Sequence, residues 1–383
     1  MPWVDERRLD DQDALRALDT RDALLSLASA GAPVRRAIVS ADEAGITRVA
    51  GGERPRSVLV AALGGSALVC DVLDLLAEAG SPVPVTTRRD APLPGWVGPL
   101  DRVIAVSQSG RAVGPLALAA EAARRGASLL TVGAAGSPLA DVSARARGVH
   151  VDVAIPTPSS RTALWSLLTP VLVAADVLGL TPCSTATLER VADILDEVAE
   201  ECRPASEAFV NPAKVIATSL GETVPVVLGD GPLTGVAAVR AASMLARTAR
   251  VPATHGFLPD AASQVVACLD GPFGSGLRDG TGPGDDVFAD PYLDGPAAPR
   301  LGLLALRDPD LDPSGTALAD AVLASARDAG AVVVEQEAHT GAPIERLASL
   351  VALTDFAATY LALGLGLDPS VSRHVVDLSD RTS

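Results

Sequence analysis

The chain has 383 residues, 48% of them hydrophobic, and a formal net charge of −16. That length holds two ordinary domains, each with a core large enough to stand without disulfide bonds. The acidic balance argues against nucleic acid and against an anionic membrane as partners, since both require a basic face. A small anion, which needs only a few local donors, stays open.

The first 50 residues place leucine, alanine and valine at three- and four-residue spacings, as in "DALRALDTRDALLSLASAGAPVRRAIVSA", and predict helix. Strand-like and helix-like runs then alternate. A strand over 58–63 is followed by a helix over 66–79 stopped by Gly80, then by strands over 83–86 and 101–107. Next come a helix over 113–125 stopped by Gly126, a strand over 128–132, a helix over 138–147, a strand over 148–155 and a long buried helix over 161–178. A helical linker, 184–210, leads to a second unit on the same plan: strand, glycine turn and helix within 224–247, strand 300–308, helix 314–329, strand 331–338 and helix 344–365. The stretch 271–299 is rich in glycine, proline and aspartate and reads as a long surface loop, either a functional lid or a disordered insertion. The expected organisation is a helical segment 1–50, a unit 51–183, the linker and a unit 211–383. Each unit is expected to hold a parallel sheet covered by helices on both faces.

The four cysteines, Cys70, Cys183, Cys202 and Cys268, form no CxxC and no zinc-like spacing. They read as reduced core cysteines of a cytoplasmic protein, with no metal site expected. The opening "MPWVDERRLDDQ" lacks the apolar stretch of a signal peptide. The most apolar run, 164–180, is interrupted by Ser166, Thr169 and Asp176, which predicts a buried helix rather than a membrane span.

Two turns carry the chemistry. In "VLVAALGGSALVCDVL" an apolar strand breaks into Gly64-Gly65-Ser66 and resumes as helix. A helix start after a glycine turn offers unpaired N–H groups and the positive end of the helix dipole, so this is either an anion site or a plain change of direction. The pattern is neither GxGxxG nor GxxxxGK[ST], which argues against a dinucleotide fold and a P-loop. A second strand, "VIAVSQSGRAVGP", ends in Ser107, Ser109 and Gly110. Ligands of open parallel sheets bind beyond the carboxyl ends of the strands, so two such turns on one edge point to one phosphate. The alternative is that the serines only cap the following helix.

These stretches, with "SPLAD", "IPTPSSRTAL" and "TDFAATYLALGLGLDPS", make the chain resemble the sugar isomerase (SIS) domain over about 58–378. The paired arrangement is similar to the bifunctional phosphoglucose/phosphomannose isomerase family. The resemblance implies two flavodoxin-like SIS units, a sugar phosphate ligand, no cofactor and a homodimer. It also implies phosphate contacts from Gly64, Gly65, Ser66, Ser107, Ser109 and Gly110. The family's S-x-S-G-N-T-x-E-T has Arg111-Ala112 in place of N-T here, so one threonine ligand is missing. Arg111 either replaces it with a guanidinium or is simply solvated. Arg161 matches the arginine that stabilises enediolate charge.

The same resemblance exposes departures. Aldose–ketose isomerisation needs a base to move a proton between C1 and C2, a ring-opening acid and charge stabilisation. The family's catalytic glutamate is Arg247 here, in "ARTARVPA", and an arginine is no base near neutral pH. Its ring-opening histidine is Ser263, in "PDAASQ", and its C-terminal lysine falls at about Ser379. His255, His339 with Glu337, and His374 are substitutes by type, although each reads first as a surface or capping residue. Asp260 keeps an acid beside Pro259. The basic stretch 239–250 makes the second cleft cationic or is a solvated face. Two functions follow: an isomerase with a rearranged acid–base set, or a phosphosugar-binding protein without catalysis that senses its ligand or regulates a partner enzyme. A nucleotide-dependent oxidoreductase lacks its glycine fingerprint.

Overall fold

The computed structural model describes residues 4–153, 161–274 and 299–382. The chain opens with α1 (Glu6–Asp10), α2 (Gln12–Leu18), α3 (Ala23–Ala28) and α4 (Gly31–Glu43). The first alternation is β1 (Val58–Ala62), α5 (Leu68–Glu78), β2 (Val85–Arg88), β3 (Arg102–Ser107), α6 (Val113–Arg124), β4 (Ser128–Gly133), α7 (Pro138–Arg145) and β5 (Val149–Asp152). Two helices follow, α8 (Leu164–Val177) and α9 (Thr185–Glu201). The second alternation is α10 (Pro212–Leu220), β6 (Thr223–Gly229), α11 (Pro232–Met244), β7 (Thr254–Phe257), α12 (Ala262–Leu269), β8 (Arg300–Arg307), α13 (Pro313–Asp328) and β9 (Val332–Glu337). The chain closes with α14 (Pro343–Gly364) and α15 (Arg373–Thr382).

Two compact units result. One comprises Ala28–Glu197 and Gly341–Ala348; the other comprises Met1–Leu27, Val198–Thr340 and Ser349–Ser383. The helical segment 1–50 is therefore divided between them, and α14 passes from one to the other.

The first sheet is parallel throughout, in the order β2-β1-β3-β4-β5, the flavodoxin arrangement. Every residue of β1 and β3 is buried, as continuous apolar strands require when helices cover both faces. On one face Leu59, Ala61, Val103 and Ala105 pack with Leu118 and Ala122 of α6 and Leu139 of α7. The other face is covered by α4, α5 and α8. Strand order reverses between β1 and β3, which opens a crevice at their carboxyl ends.

The second sheet repeats the order as β7-β6-β8-β9, with no fifth strand among the described residues. Leu228, Leu301 and Leu303 pack with Val265 and Leu269 of α12 and Leu323 of α13. The N-terminal helices join this unit: the Asp5 N–H donates to the Gly364 carbonyl at 3.1 Å, and Arg8 Nη1 to the same oxygen at 2.7 Å. Leu9, Leu15, Leu24 and Leu27 are buried there. The chain's lone lysine, Lys214, is fully buried and donates to the Pro204 and Ser206 carbonyls at 3.0 and 2.7 Å.

Helix α14 is the one described helix long and apolar enough to cross a membrane, and it lies buried in the protein. Burial pushes the Cys70, Cys183 and Cys202 thiols up to about 12. Cys268 departs from the core expectation and is exposed on α12. Of the expected loop 271–299, residues 275–298 lie outside those described. So do 154–160, the residues that precede Arg161 in "IPTPSSRTAL".

Candidate functional site

Strand β1 ends at Ala62, and one 3-10 turn, Gly64–Ser66, leads into α5. Gly64 sits at φ +62°, a left-handed backbone that favours glycine, with open space where a Cβ would project. Ser66 is only 5% exposed, yet its hydroxyl has no hydrogen-bond partner among the described residues. The start of α5 has no side-chain cap.

The register pairs Ala62 with Val106, so the turn after β1 lies beside the turn after β3. There the Ser107 hydroxyl, also buried, accepts from the Ala112 N–H at 3.3 Å, and the Ser109 hydroxyl accepts from the Arg111 N–H at 3.3 Å. Gly110, at φ +63°, packs so tightly on Ser137 that a Cβ would come within 2.0 Å of its hydroxyl oxygen. That contact fixes the turn onto the capped start of α7. The N-cap residue of α6, Ala112, offers no side-chain acceptor. Two adjacent helices thus begin without side-chain caps, as α4, α8, α11 and α12 also do, whereas α7, α10 and α13 begin with Ser137, Asn211 and Asp312 accepting their N–H groups.

Arg111 is exposed at this edge. Arg161 lies in a half-buried turn three residues ahead of α8, and α8 packs against the Gly64–Ser66 turn. The structure therefore brings Gly64, Gly65, Ser66, Ser107, Ser109, Gly110 and Arg111 to one sheet edge, with Arg161 ahead of the adjoining helix. Buried hydroxyls, uncapped helix starts and a guanidinium can receive an anion, each helix start contributing about 0.3–1 kcal/mol.

The corresponding edge of the second sheet is built differently. Strand β6 runs into Asp230-Gly231-Pro232, and the Asp230 carboxylate, 5% exposed, occupies the turn. It accepts the Asp308 N–H at 3.1 and 3.0 Å and the Thr234 hydroxyl at 2.9 Å, and it pairs with Arg307 at 3.3 Å. Thr234 in turn accepts the Gly231 N–H at 2.9 Å. Burial raises the Asp230 pKa above the ordinary carboxylate value, partly offset by these donors. The sequence reading passed over this network, although "LGDGPLT" against "LGGSALV" was the signal.

The acid–base positions fall in this second unit. Arg247 lies in a π-turn, Leu245–Ala249, that continues α11. Ser263 is exposed in the first turn of α12. His255, Asp260, Glu337 and His374 are exposed, and His339 is half-buried with its N–H donated to the Ser349 hydroxyl at 3.0 Å. Ser379 falls in α15, its side chain outside those described. The stretch 239–250 is not a solvated face throughout: Arg240, 3% exposed, makes a two-point pair with Asp355 at 2.9 and 2.8 Å. No cluster of three or more metal-ligating residues occurs among the described residues.

Two parallel sheets in this order make two flavodoxin-like α/β units, with serine and glycine turns on one edge of the first. Residues 209–381 match the family model of the bacterial phospho-glucose isomerase C-terminal SIS domain. The bifunctional phosphoglucose/phosphomannose isomerase of Caldicellulosiruptor bescii is 28% identical over 197 residues, 51% of this chain and 57% of that protein's length. The C-terminal domain of glucosamine-fructose-6-phosphate aminotransferase from Francisella tularensis superposes with a TM-score of 0.62 at 11% identity, covering 92% of this chain and 98% of that one. A glucose-6-phosphate isomerase like protein from Thermus thermophilus gives 0.55 at 21% identity, covering 96% and 99%. Residues 209–381 thus match the SIS family, and about half of the chain is similar to a bifunctional phosphoglucose/phosphomannose isomerase, of which it spans 57%.

Proposed function

We propose that this protein binds a sugar phosphate at the carboxyl edge of its first sheet and does so without aldose–ketose turnover. The single observation that carries the reading is the pair of adjacent turns, Gly64–Ser66 and Ser107–Arg111. There two helices start without side-chain caps, and the hydroxyl of the largely buried Ser66 has no partner among the described residues and is not enclosed. The phosphate takes the helix-start N–H groups and the Ser66 and Ser107 hydroxyls, with Arg111 or Arg161 as the charged partner.

The absence of turnover rests on the residues at the acid–base positions. The guanidinium of Arg247 does not give up a proton near neutral pH, and the hydroxyl of Ser263 is exposed on a helix with no base hydrogen-bonded to it among the described residues. The protein then serves as a phosphosugar sensor or as a regulatory partner of an enzyme, in the cytoplasm and as a homodimer.

The test uses fructose 6-phosphate with the purified chain. Binding measured by calorimetry is expected, about tenfold weaker in Ser66→Ala, with little change in melting temperature. Proton exchange at C1 and C2, followed by NMR in heavy water, is expected to stay at background. Exchange above background overturns the reading without turnover; binding untouched by Ser66→Ala overturns the assignment of the phosphate.

A further inference from the structure

The first unit holds a cavity of about 430 Å³ away from the turns after β1 and β3. It lies between α4, the carboxyl end of β5 and the first turn of α8, and its volume is that of a small-ligand site. Strand β5 is the edge strand, two places from β3 and three from β1. At about 4.8 Å per strand, the β5 wall of the cavity is roughly 10 Å from the end of β3 and 14 Å from the end of β1. None of Gly64–Ser66, Ser107–Arg111 and Arg161 lines it.

Its apolar walls include Ala37, Val39 and Val153, and polar groups of unlike kind stand among them. Ser166 is 8% exposed, and its hydroxyl is neither hydrogen-bonded among the described residues nor enclosed. Thr169 in the same helix and Thr354 in α14 bond back to the carbonyls of Trp165 and Leu350 at 2.7 and 2.8 Å. Ser166 does not, which leaves its hydroxyl to the cavity. Arg35 is matched by Asp193 and Asp196, both at 2.8 Å, whereas Arg36 is exposed with no hydrogen-bond or ion-pair partner among the described residues. Asp152, at the end of β5, lies 3.2 Å from His150 Nε2. Burial lowers the His150 pKa, so the ring is neutral at pH 7 and leaves the carboxylate charge unmet. Arg36 and Asp152 line the same space and do not pair with each other.

We propose that this cavity receives a zwitterionic amino acid with an aliphatic side chain. The ligand carboxylate meets the fork of the Arg36 guanidinium, and its ammonium meets Asp152. The Ser166 hydroxyl adds one hydrogen bond, and the side chain covers Ala37, Val39 and Val153. A plain carboxylate would set a like charge beside Asp152, and a plain amine would set one beside Arg36. A phosphate dianion would face one cation and one anion, with no net attraction. Only a group that carries both charges satisfies both walls. No residue of this contact belongs to the turns after β1 and β3, so its occupation does not require a phosphate there.

The test is calorimetric titration of the full chain with leucine and with probes that each lack one part of it. Isocaproate lacks the ammonium, isoamylamine the carboxylate and glycine the side chain. Leucine is expected to bind saturably, and each of the others about tenfold or more weakly. Arg36→Gln and Asp152→Asn each weaken leucine binding by about tenfold to a hundredfold, and Ser166→Ala severalfold. Both charge variants keep the melting temperature of the parent, because the two groups are exposed. No leucine binding by the parent, or equal binding by the parent and either charge variant, overturns the site. Isocaproate or isoamylamine binding as tightly as leucine overturns the zwitterion, and glycine doing so overturns the apolar contact. Loss of leucine binding in Ser66→Ala, or displacement of leucine by fructose 6-phosphate, assigns the ligand to the turns after β1 and β3 and also overturns it. A change of oligomeric state in Val39→Asp without leucine binding by the parent makes the cavity a contact between copies of the chain, which overturns it as well.

Discussion

The ends of β1 and β3 and the ends of β6 and β8 are the same place in two copies of one topology, and they are electrostatic opposites. At the first, Gly64-Gly65-Ser66 leaves a helix start uncapped and the Ser66 hydroxyl without a described partner. At the second, Asp230 puts a carboxylate where an anion would sit and takes up the Asp308 N–H and the Thr234 hydroxyl. Pro232 also removes one N–H from the helix start. Strand order makes the crevice; one or two residues at the turn decide whether it is open to a ligand or already satisfied by the chain.

The largest effect that can break this comparison is at Asp230. Asp230→Ala leaves the Asp308 N–H and Arg307 without their buried acceptor and is expected to cost about 3 kcal/mol in urea unfolding. A loss below about 1 kcal/mol would mean that the carboxylate does not close the second edge. The same residue sets a pH dependence. A carboxyl whose folded pKa is raised holds its proton more tightly in the folded state, so stability falls as pH climbs from the ordinary carboxylate range through the raised value. Asp230→Asn, which cannot ionise, flattens that part of the stability curve.

Next in size is Gly64→Ala. The Cβ has room, so the expected loss of about 1 kcal/mol comes only from the left-handed backbone. Urea unfolding measures it, and no loss would show that the turn relaxes to another conformation. The smallest effect is chemical. At pH 8 the exposed Cys268 of the second unit reacts with Ellman's reagent, while Cys70, behind the Gly64–Ser66 turn, stays protonated and silent along with Cys183 and Cys202 until denaturant is added. Native reaction of Cys70 or Cys183 would show that the first unit opens readily, and native reaction of Cys202 that the second does.

What could be read from the sequence follows burial. Strands β1, β3, β4 and β8 are nearly continuous apolar runs because the sheets are covered on both faces, and each was legible within a residue or two. Strand β7 was not: "THGF" is mostly exposed and carries no apolar pattern. The turns after β1 and β3 were legible because the constraint is local, a glycine or serine at a strand end. The Arg240–Asp355 pair was not, since 115 positions separate its members and no periodicity joins them. Cys268 misled because α12 buries Val265 and Leu269, four positions apart, and turns Cys268 outward between them.

The division of the chain also bears on how it is made. Met1–Leu27 belongs to a unit whose next segment begins at Val198. At about 5–20 residues per second, synthesis leaves the apolar sides of α1, α2 and α3 waiting roughly 10–30 s for partners while the other unit is translated. Those helices can therefore bury their apolar sides in their own unit only once the second sheet emerges.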